Sequence, residues 1–418
     1  MPITAPFHAM LAYHAGQLHL NAVPLAAIAR ATGTPAYVYS LPRILHNLEQ
    51  VRAAFPDSEV HFSAKSNHNL ALLRTLIEAG AGIDAVSAGE IQLALAGGAR
   101  PQDIVLAGVA KTPDELRFAV AHGIGWVNIE NVHEAELLNA IAAEHGVTVR
   151  AALRYNPEVA ANTHPHIATG HSAAKFGLNA DDVRALLARR AALPQLRIEG
   201  LHVHIGSQLH DTVGTGEAVR HSLALIEHES EITTLNIGGG FPVAYHGDEA
   251  LPSPADFAAA ILPLVRARGL GLLLEPGRSL VADAGVLLTQ VLYVKDQGDQ
   301  RFVLVDAGMT ELIRPMLYEA HHAIVPLTEG EPVQSVTVAG PVCESTDVFG
   351  HAVPLPDVQP GDLLAVLTCG AYGMVMASNY NARLRPPEVV IETGGTTWRV
   401  ARRRETTDDL LRLMGQAL

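Results

Sequence analysis

From about residue 59 onward, apolar residues alternate between short dense runs and stretches at helical spacing. The runs are VHFSAK, GIDAVS, DIVLAG, GWVNIE, VRAALRYN, IEGLHVHIG, TLNIGGG and GLLLEPG, most of them closed by a glycine or a polar residue. Between them, Leu70, Leu73, Leu76 and Ile77 share one face of a helix, as do Ala135, Leu138 and Ala142. Eight strand and helix units in about 220 residues predict a (β/α)8 TIM-type barrel; a doubly wound open sheet is the alternative on pattern alone. Past about residue 283 the helical spacing stops, and VLLTQVLYV, RFVLVDAG, QSVTVAGPV and DLLAVLTCG predict a mainly β domain of sandwich or barrel-like form. LAYHAGQLHL and TPAYVYS are also strand-like and are expected to pair into that domain. The predicted division is therefore 1–42 for N-terminal strands joining the β domain, 43–282 for the barrel and 283–418 for the β domain.

Composition narrows the partners. The chain has 418 residues, 48% of them hydrophobic and 17% charged, which suffices for a large core. A formal net charge of −14 argues against nucleic acid or an anionic membrane as a partner, and in favour of a small molecule. The two cysteines, Cys343 and Cys369, make no disulfide framework, and MPITAPFHAM lacks the pattern of a signal peptide, so a cytoplasmic location is expected. No apolar run has the length of a transmembrane helix.

In this barrel class reactive residues collect where the strands end at their C-terminal side. Lys65 ends the first predicted strand, Asp84 and Ser87 the second, Arg154 the fifth, His204 and Ser207 the sixth, Gly238 to Gly240 the seventh, and Glu275 with Arg278 the eighth. A lysine so placed can form a Schiff base once desolvation frees its amine; the plain alternative is an ion pair with Asp84 or Glu90. IGGGFP lets backbone N–H groups close on an anion such as a phosphate, although a tight turn needs glycine too. In EPGR, Arg278 can clamp a phosphate or carboxylate and Glu275 can pair with a protonated ring nitrogen, against the alternative of a local ion pair. Amine, glycine loop and acid together suit a phosphorylated pyridine bearing an aldehyde.

Two further motifs carry chemistry. HVHIGS places His202 and His204 on one side of a strand, a pattern also found in metal-dependent hydrolases, which supply the rival reading. Such a hydrolase wants further histidines and an aspartate at other strand ends. Glu275, glycines and Asp84 stand there instead, so His204 is read as a ring packing on a cofactor, His202 as structural, and no metal is expected. His164, His166, His321 and His322 read as surface or loop residues. Cys343, in GPVCEST, is either a small buried apolar residue or, on a loop, a proton donor.

Nearly the whole chain, from AYVYS to SNYNARLRPPEV, resembles the barrel-type pyridoxal-phosphate decarboxylases. FSAKSN, LHVHIGSQL, NIGGGFP and EPGR carry the family likeness. RYNPEVAANTHPHIATGHSAAKFGL, DAGMTELIRPMLY, GPVCESTDVF and GAYGMVMASNYN point to the branch that turns meso-2,6-diaminopimelate into L-lysine and carbon dioxide. The resemblance implies that Lys65 carries the cofactor, His204 stacks on its ring and Glu275 faces its nitrogen. Ser207, Gly239, Gly240, Gly277 and Arg278 would hold the phosphate region, with Asp84 and Tyr372 also beside the cofactor. Arg278, Arg314 and Tyr318 would grip the distal carboxylate, Glu344 the distal ammonium, and Tyr372 would lie by the substrate as well. Cys343 would be the proton donor, on a loop that the other subunit of a homodimer supplies, so that the active sites are shared. A related decarboxylase of lysine, ornithine or a carboxylated polyamine is the near alternative, against which Arg314 in IRPMLY argues. An alanine-racemase-like enzyme shares a lysine-bearing barrel, yet the Cys343 and Glu344 segment fits decarboxylation better, and a binding protein without activity would be expected to lose Lys65 or Cys343.

Overall fold

The structure, a computed structural model, describes residues 8–159, 175–247 and 249–415. The chain divides into two compact units, one of residues 47–243 and 251–280, the other of residues 1–46, 244–250 and 281–418. His164, His166 and much of the segment RYNPEVAANTHPHIATGHSAAKFGL lie outside the described residues.

The first unit is a closed parallel barrel of eight strands. They are Glu59–Ser63, Gly82–Ala85, Ile104–Leu106, Trp126–Ile129, Val149–Tyr155, Leu196–Val203, Thr234–Asn236 and Gly271–Leu274. The eighth closes on the first, with Leu273 opposite Glu59 and Leu274 opposite Val60. Strands covered by helices on one face and packed on each other at the other are rich in apolar residues. Phe62, Ile83, Val105, Leu153, Leu201 and Leu274 are all fully buried. The intervening helices start where the sequence supplies acceptors for their free N–H groups. Asn69 caps Leu70–Glu78, Ser87 caps Ala88–Gly97, and Thr112 with Glu115 forms a reciprocal capping box before Pro113–His122. After the first four strands the helices follow closely, at Leu70, Ala88, Pro113 and Val132, whereas after the fifth, sixth and seventh they start only at Ala180, Val213 and Pro254, which leaves longer loops for the candidate residues there.

The second unit is mainly β. Its nine-stranded sheet centres on the long strand Gly285–Gln297, which pairs antiparallel with Ala36–Ser40 and Leu363–Val366 through its first half and with Gln300–Val305 through its second. LAYHAGQLHL belongs to this β unit, as expected, and touches its C-terminal part through a bridge between Gln17 and Thr328, but its strands do not enter the nine-stranded sheet. Leu11–His14 and Gln17–Leu20 form a hairpin and, with Val23–Pro24, a three-stranded sheet of their own. The turn residues Ala15 and Gly16 both have positive φ, 49° and 76°, the twist that joins antiparallel strands tightly. The hairpin still shares a core with the β unit through Leu18, Leu20, Val38, Val286, Leu288 and Val389. No helix among the described residues is long and apolar enough to cross a membrane.

Candidate active site

Lys65 stands one turn beyond the strand it was expected to end. The first strand stops at Ser63, and Ala64–Ser66 forms a short 3-10 turn with Lys65 exposed in its middle. That turn is held from three directions. Ser63 donates its N–H to Pro276 O at 3.1 Å, the Ser66 hydroxyl donates to Ser63 O at 2.8 Å, and Asn67 N–H donates to Ala64 O at 3.0 Å. Gly277 makes this approach possible: a Cβ there would sit 3.1 Å from both Ser63 Cβ and Ser66 Oγ. The lysine turn and the EPGR loop are thereby packed against each other.

Glu275 is the most elaborately held acid in the barrel. It is buried, and Asn236 Nδ2 donates to its Oε1 at 2.6 Å, Asn128 Nδ2 to the same oxygen at 3.3 Å, while His202 Nε2 lies 3.2 Å from Oε2. Burial alone would raise its pKa. The charge and hydrogen bond of His202, the Asn236 amide and the charge of Lys65 outweigh burial and hold it well below the usual carboxylate range. His202 therefore belongs to the cage of this carboxylate, and its Nδ1 is buried without a hydrogen-bond partner. The residue pattern missed Asn128 and Asn236; an asparagine inside an otherwise apolar strand was the available signal.

Asp84 goes the opposite way. The Ser63 hydroxyl donates to Oδ2 at 2.6 Å and Oδ1 is buried without a partner. Burial, followed by the like charge of Glu275, raises its pKa to about 6 against the pull of Lys65, Ser63 and His202. Glu90, whose carboxylate accepts Val86 N–H at 2.8 Å, is raised by burial to about 7. Burial and neighbouring charge thus move two acids of one barrel mouth in opposite directions, Glu275 down and Asp84 up.

An acid whose pKa rises on folding keeps its proton in the folded chain after the unfolded chain has lost it, so stability falls as pH rises from about 4 to about 6. In cofactor-free protein, Asp84→Asn is expected to remove a decline of order 1–3 kcal/mol over that window. Urea midpoints measured against pH check this, and identical slopes for both proteins would refute it.

The remaining barrel candidates cluster around these groups. His204 follows the sixth strand, and burial, with the charges of Lys65 and Arg154, pushes its pKa well below the ordinary imidazole value, so that the ring is neutral. Gly238, at φ 65°, admits this ring: a Cβ there would lie 2.6 Å from His204 Nδ1. Gly239 and Gly240 are equally confined, with a Cβ 2.5 Å from Glu275 O and 2.7 Å from Leu209 Cδ1 respectively. Arg278 is buried, and its Nε and Nη2 donate to Ser207 Oγ at 3.3 and 3.1 Å. Arg154 pairs with buried Glu130 at 2.5 Å and lies over the Phe176 ring, which ties the chain after residue 174 to the fifth strand.

The β unit holds the other candidates. Cys343 is exposed on a loop, in line with the loop reading and against the alternative of a buried apolar cysteine, and its backbone N–H donates to Asn381 Oδ1 at 3.1 Å. Glu344, also exposed, accepts from Thr346 Oγ1 at 2.8 Å. Arg314 is buried at the start of the short helix Arg314–Tyr318, with Tyr318 half-buried at its end. Tyr372 is half-buried with φ 54°, a left-handed backbone that is uncommon for a bulky residue and concentrates at functional sites. His322 lies on a loop, as expected, but is buried there beside Arg314, with Nε2 2.8 Å from Arg314 Nη1.

Comparison with known proteins agrees with this arrangement. A family model described as the pyridoxal binding domain of pyridoxal-dependent decarboxylases matches residues 41–282. The chain is 40% identical over 413 residues to diaminopimelate decarboxylase of Aquifex aeolicus, covering 98% of both chains. It is 42% identical over 400 residues to the Vibrio cholerae enzyme of the same name, covering 93% of this chain and 95% of that one. The crystal structure of Helicobacter pylori diaminopimelate decarboxylase complexed with L-lysine is similar at 37% identity and a TM-score of 0.89, covering 94% of this chain and all of the other. Pyridoxal phosphate suits the residues present: an ionised buried acid, a neutral imidazole, glycines with no room for a side chain, an arginine, and a lysine on a packed turn. The chain belongs to the diaminopimelate decarboxylase family of pyridoxal-dependent decarboxylases.

Proposed function

We propose that this chain decarboxylates meso-2,6-diaminopimelate to L-lysine, with Lys65 holding the cofactor by its amine and Cys343 returning a proton to the carbon that has lost its carboxylate. The caged Glu275 is the observation that carries the reading, because an ionised carboxylate buried in an apolar barrel has a use opposite a protonated pyridine. Bound pyridoxal phosphate supplies the electron sink for the bond that breaks. The protein's own groups do the rest. Glu275 keeps the ring nitrogen protonated, and neutral His204 offers a flat face without adding charge. Ser207, Gly239, Gly240, Gly277 and Arg278 bind the phosphate region, with Asp84 and Tyr372 beside the cofactor.

Selectivity for a substrate with a second amino-acid end is given to Arg278, Arg314 and Tyr318 for its carboxylate and to Glu344 for its ammonium. Planar guanidinium matches carboxylate in a way that a diamine-forming enzyme has no need of. We further propose a cytoplasmic homodimer in which the loop of Cys343 and Glu344 completes the partner's site. Exposure of that loop and the presence of two free cysteines support this.

The visible spectrum of protein given pyridoxal phosphate, followed by carbon dioxide release from meso-diaminopimelate, lysine and ornithine, tests the reading. Release from diaminopimelate alone is expected. Release from another amino acid would overturn the substrate, and stoichiometric zinc without a chromophore would overturn the chemistry. Arg314→Ala is expected to raise the diaminopimelate KM roughly 10- to 100-fold, the worth of a hydrogen bond between charged groups, while cofactor affinity changes little. An unchanged KM would count against Arg314.

A further inference from the structure

The contacts of His322 fix its hydrogens. Its Nδ1 lies 2.9 Å from Leu367 O, a carbonyl that only accepts, so Nδ1 carries the proton. Its Nε2 lies 2.8 Å from Arg314 Nη1, a group that only donates, so Nε2 must offer a lone pair. A neutral ring with its proton on Nδ1 is the one form that satisfies both partners. Tyr245 completes the arrangement: its ring lies 4.8 Å from the Arg314 guanidinium and meets the His322 ring edge-on at 5.3 Å. All three side chains are buried. Arg314 is thus held at one edge by an acceptor and on one face by an aromatic ring, in a place where an arginine side chain otherwise has many rotamers to lose.

We propose that His322 is a positioning residue that sets the plane of Arg314, and that through it the enzyme distinguishes a substrate ending in a carboxylate from a plain diamine. The inference rests on the reading of Arg314 as the group that binds the distal carboxylate. A guanidinium whose plane is set before binding loses less freedom on meeting a planar carboxylate, so its affinity is higher without any added contact. His322 itself touches neither cofactor nor the reacting carbon in this scheme.

The test uses holoenzyme and two inhibitors of the same length, L-lysine, which keeps the distal carboxylate, and cadaverine, which lacks it. In His322→Phe, which keeps an aromatic ring for Tyr245 but removes the acceptor, the diaminopimelate KM and the lysine inhibition constant are expected to rise about tenfold, with kcat within about twofold. Cadaverine inhibition should stay as it is. His322→Gln, whose side-chain oxygen can take the place of Nε2, should restore lysine inhibition to within about threefold of the original. Should the phenylalanine variant fail to fold, His322→Asn against His322→Gln carries the comparison, since asparagine falls one bond short of Arg314. Equal behaviour of those two, or equal weakening of lysine and cadaverine, would overturn the inference. Arg314→Ala measured alongside separates the two claims. If it weakens lysine and His322→Phe does not, the positioning role alone fails; if Arg314→Ala leaves lysine unchanged, the carboxylate reading fails and takes the inference with it.

Discussion

Lys65→Ala is expected to lower turnover by a factor on the order of 10³ or more, and to abolish the visible absorbance that the protein acquires through an amine bond to pyridoxal phosphate. The loss should be chemical and not structural. The turn that carries Lys65 is fastened by Ser63, Ser66 and Asn67 through backbone and hydroxyl bonds in which the lysine side chain takes no part. Because that side chain is exposed, its removal opens no cavity, and the thermal midpoint of the cofactor-free protein should move little. A substituted protein that kept both the absorbance and the turnover would place the cofactor on another amine. Glu275 sharpens the expectation: its depressed pKa draws in part on the charge of Lys65, so removing that charge should let the carboxyl titrate somewhat higher.

Cys343→Ala is expected to leave cofactor absorbance intact while kcat falls about 10²- to 10⁴-fold, the range over which a positioned proton donor contributes. The loop should keep its shape, because the bond that ties it to Asn381 is made by the backbone N–H of residue 343, which alanine retains. Retained turnover would refute the donor role. Mixing Cys343→Ala with Lys65→Ala tests the shared site as well. If the donor loop of one subunit serves the lysine of the other, mixed dimers hold one intact site and recover activity; subunits that each served their own site would recover none.

These two residues differ in how far their settings could be read in advance. Lys65 was legible because the barrel announces its strand ends locally: apolar runs of the right length, glycines and helix caps such as Asn69 and Ser87 stand within a few residues of one another. Glycines 238 to 240 were legible for the same reason. Their structural cause was not, since the atoms that forbid a side chain there belong to His204, Glu275 and Leu209. The hairpin of Leu11–Leu20 was legible as two strands, but its choice to form a separate sheet depended on the turn at Ala15 and Gly16 and on a core shared with residues some 270 to 380 positions away.

By itself the sequence determined the strand and helix alternation, the mouth of the barrel and the identity of the groups that stand there, because hydrophobic period, turn residues and caps act over a few positions. Only the tertiary structure decided which acid stays charged and what holds Arg314. Glu275 draws its partners from 39, 73 and 147 positions away, in Asn236, His202 and Asn128. Arg314 is held by His322 from a neighbouring loop and by Tyr245 from the chain that follows the seventh barrel strand. Burial and charge of this kind depend on which side chains meet in space, and so they exist only once the chain has closed on itself.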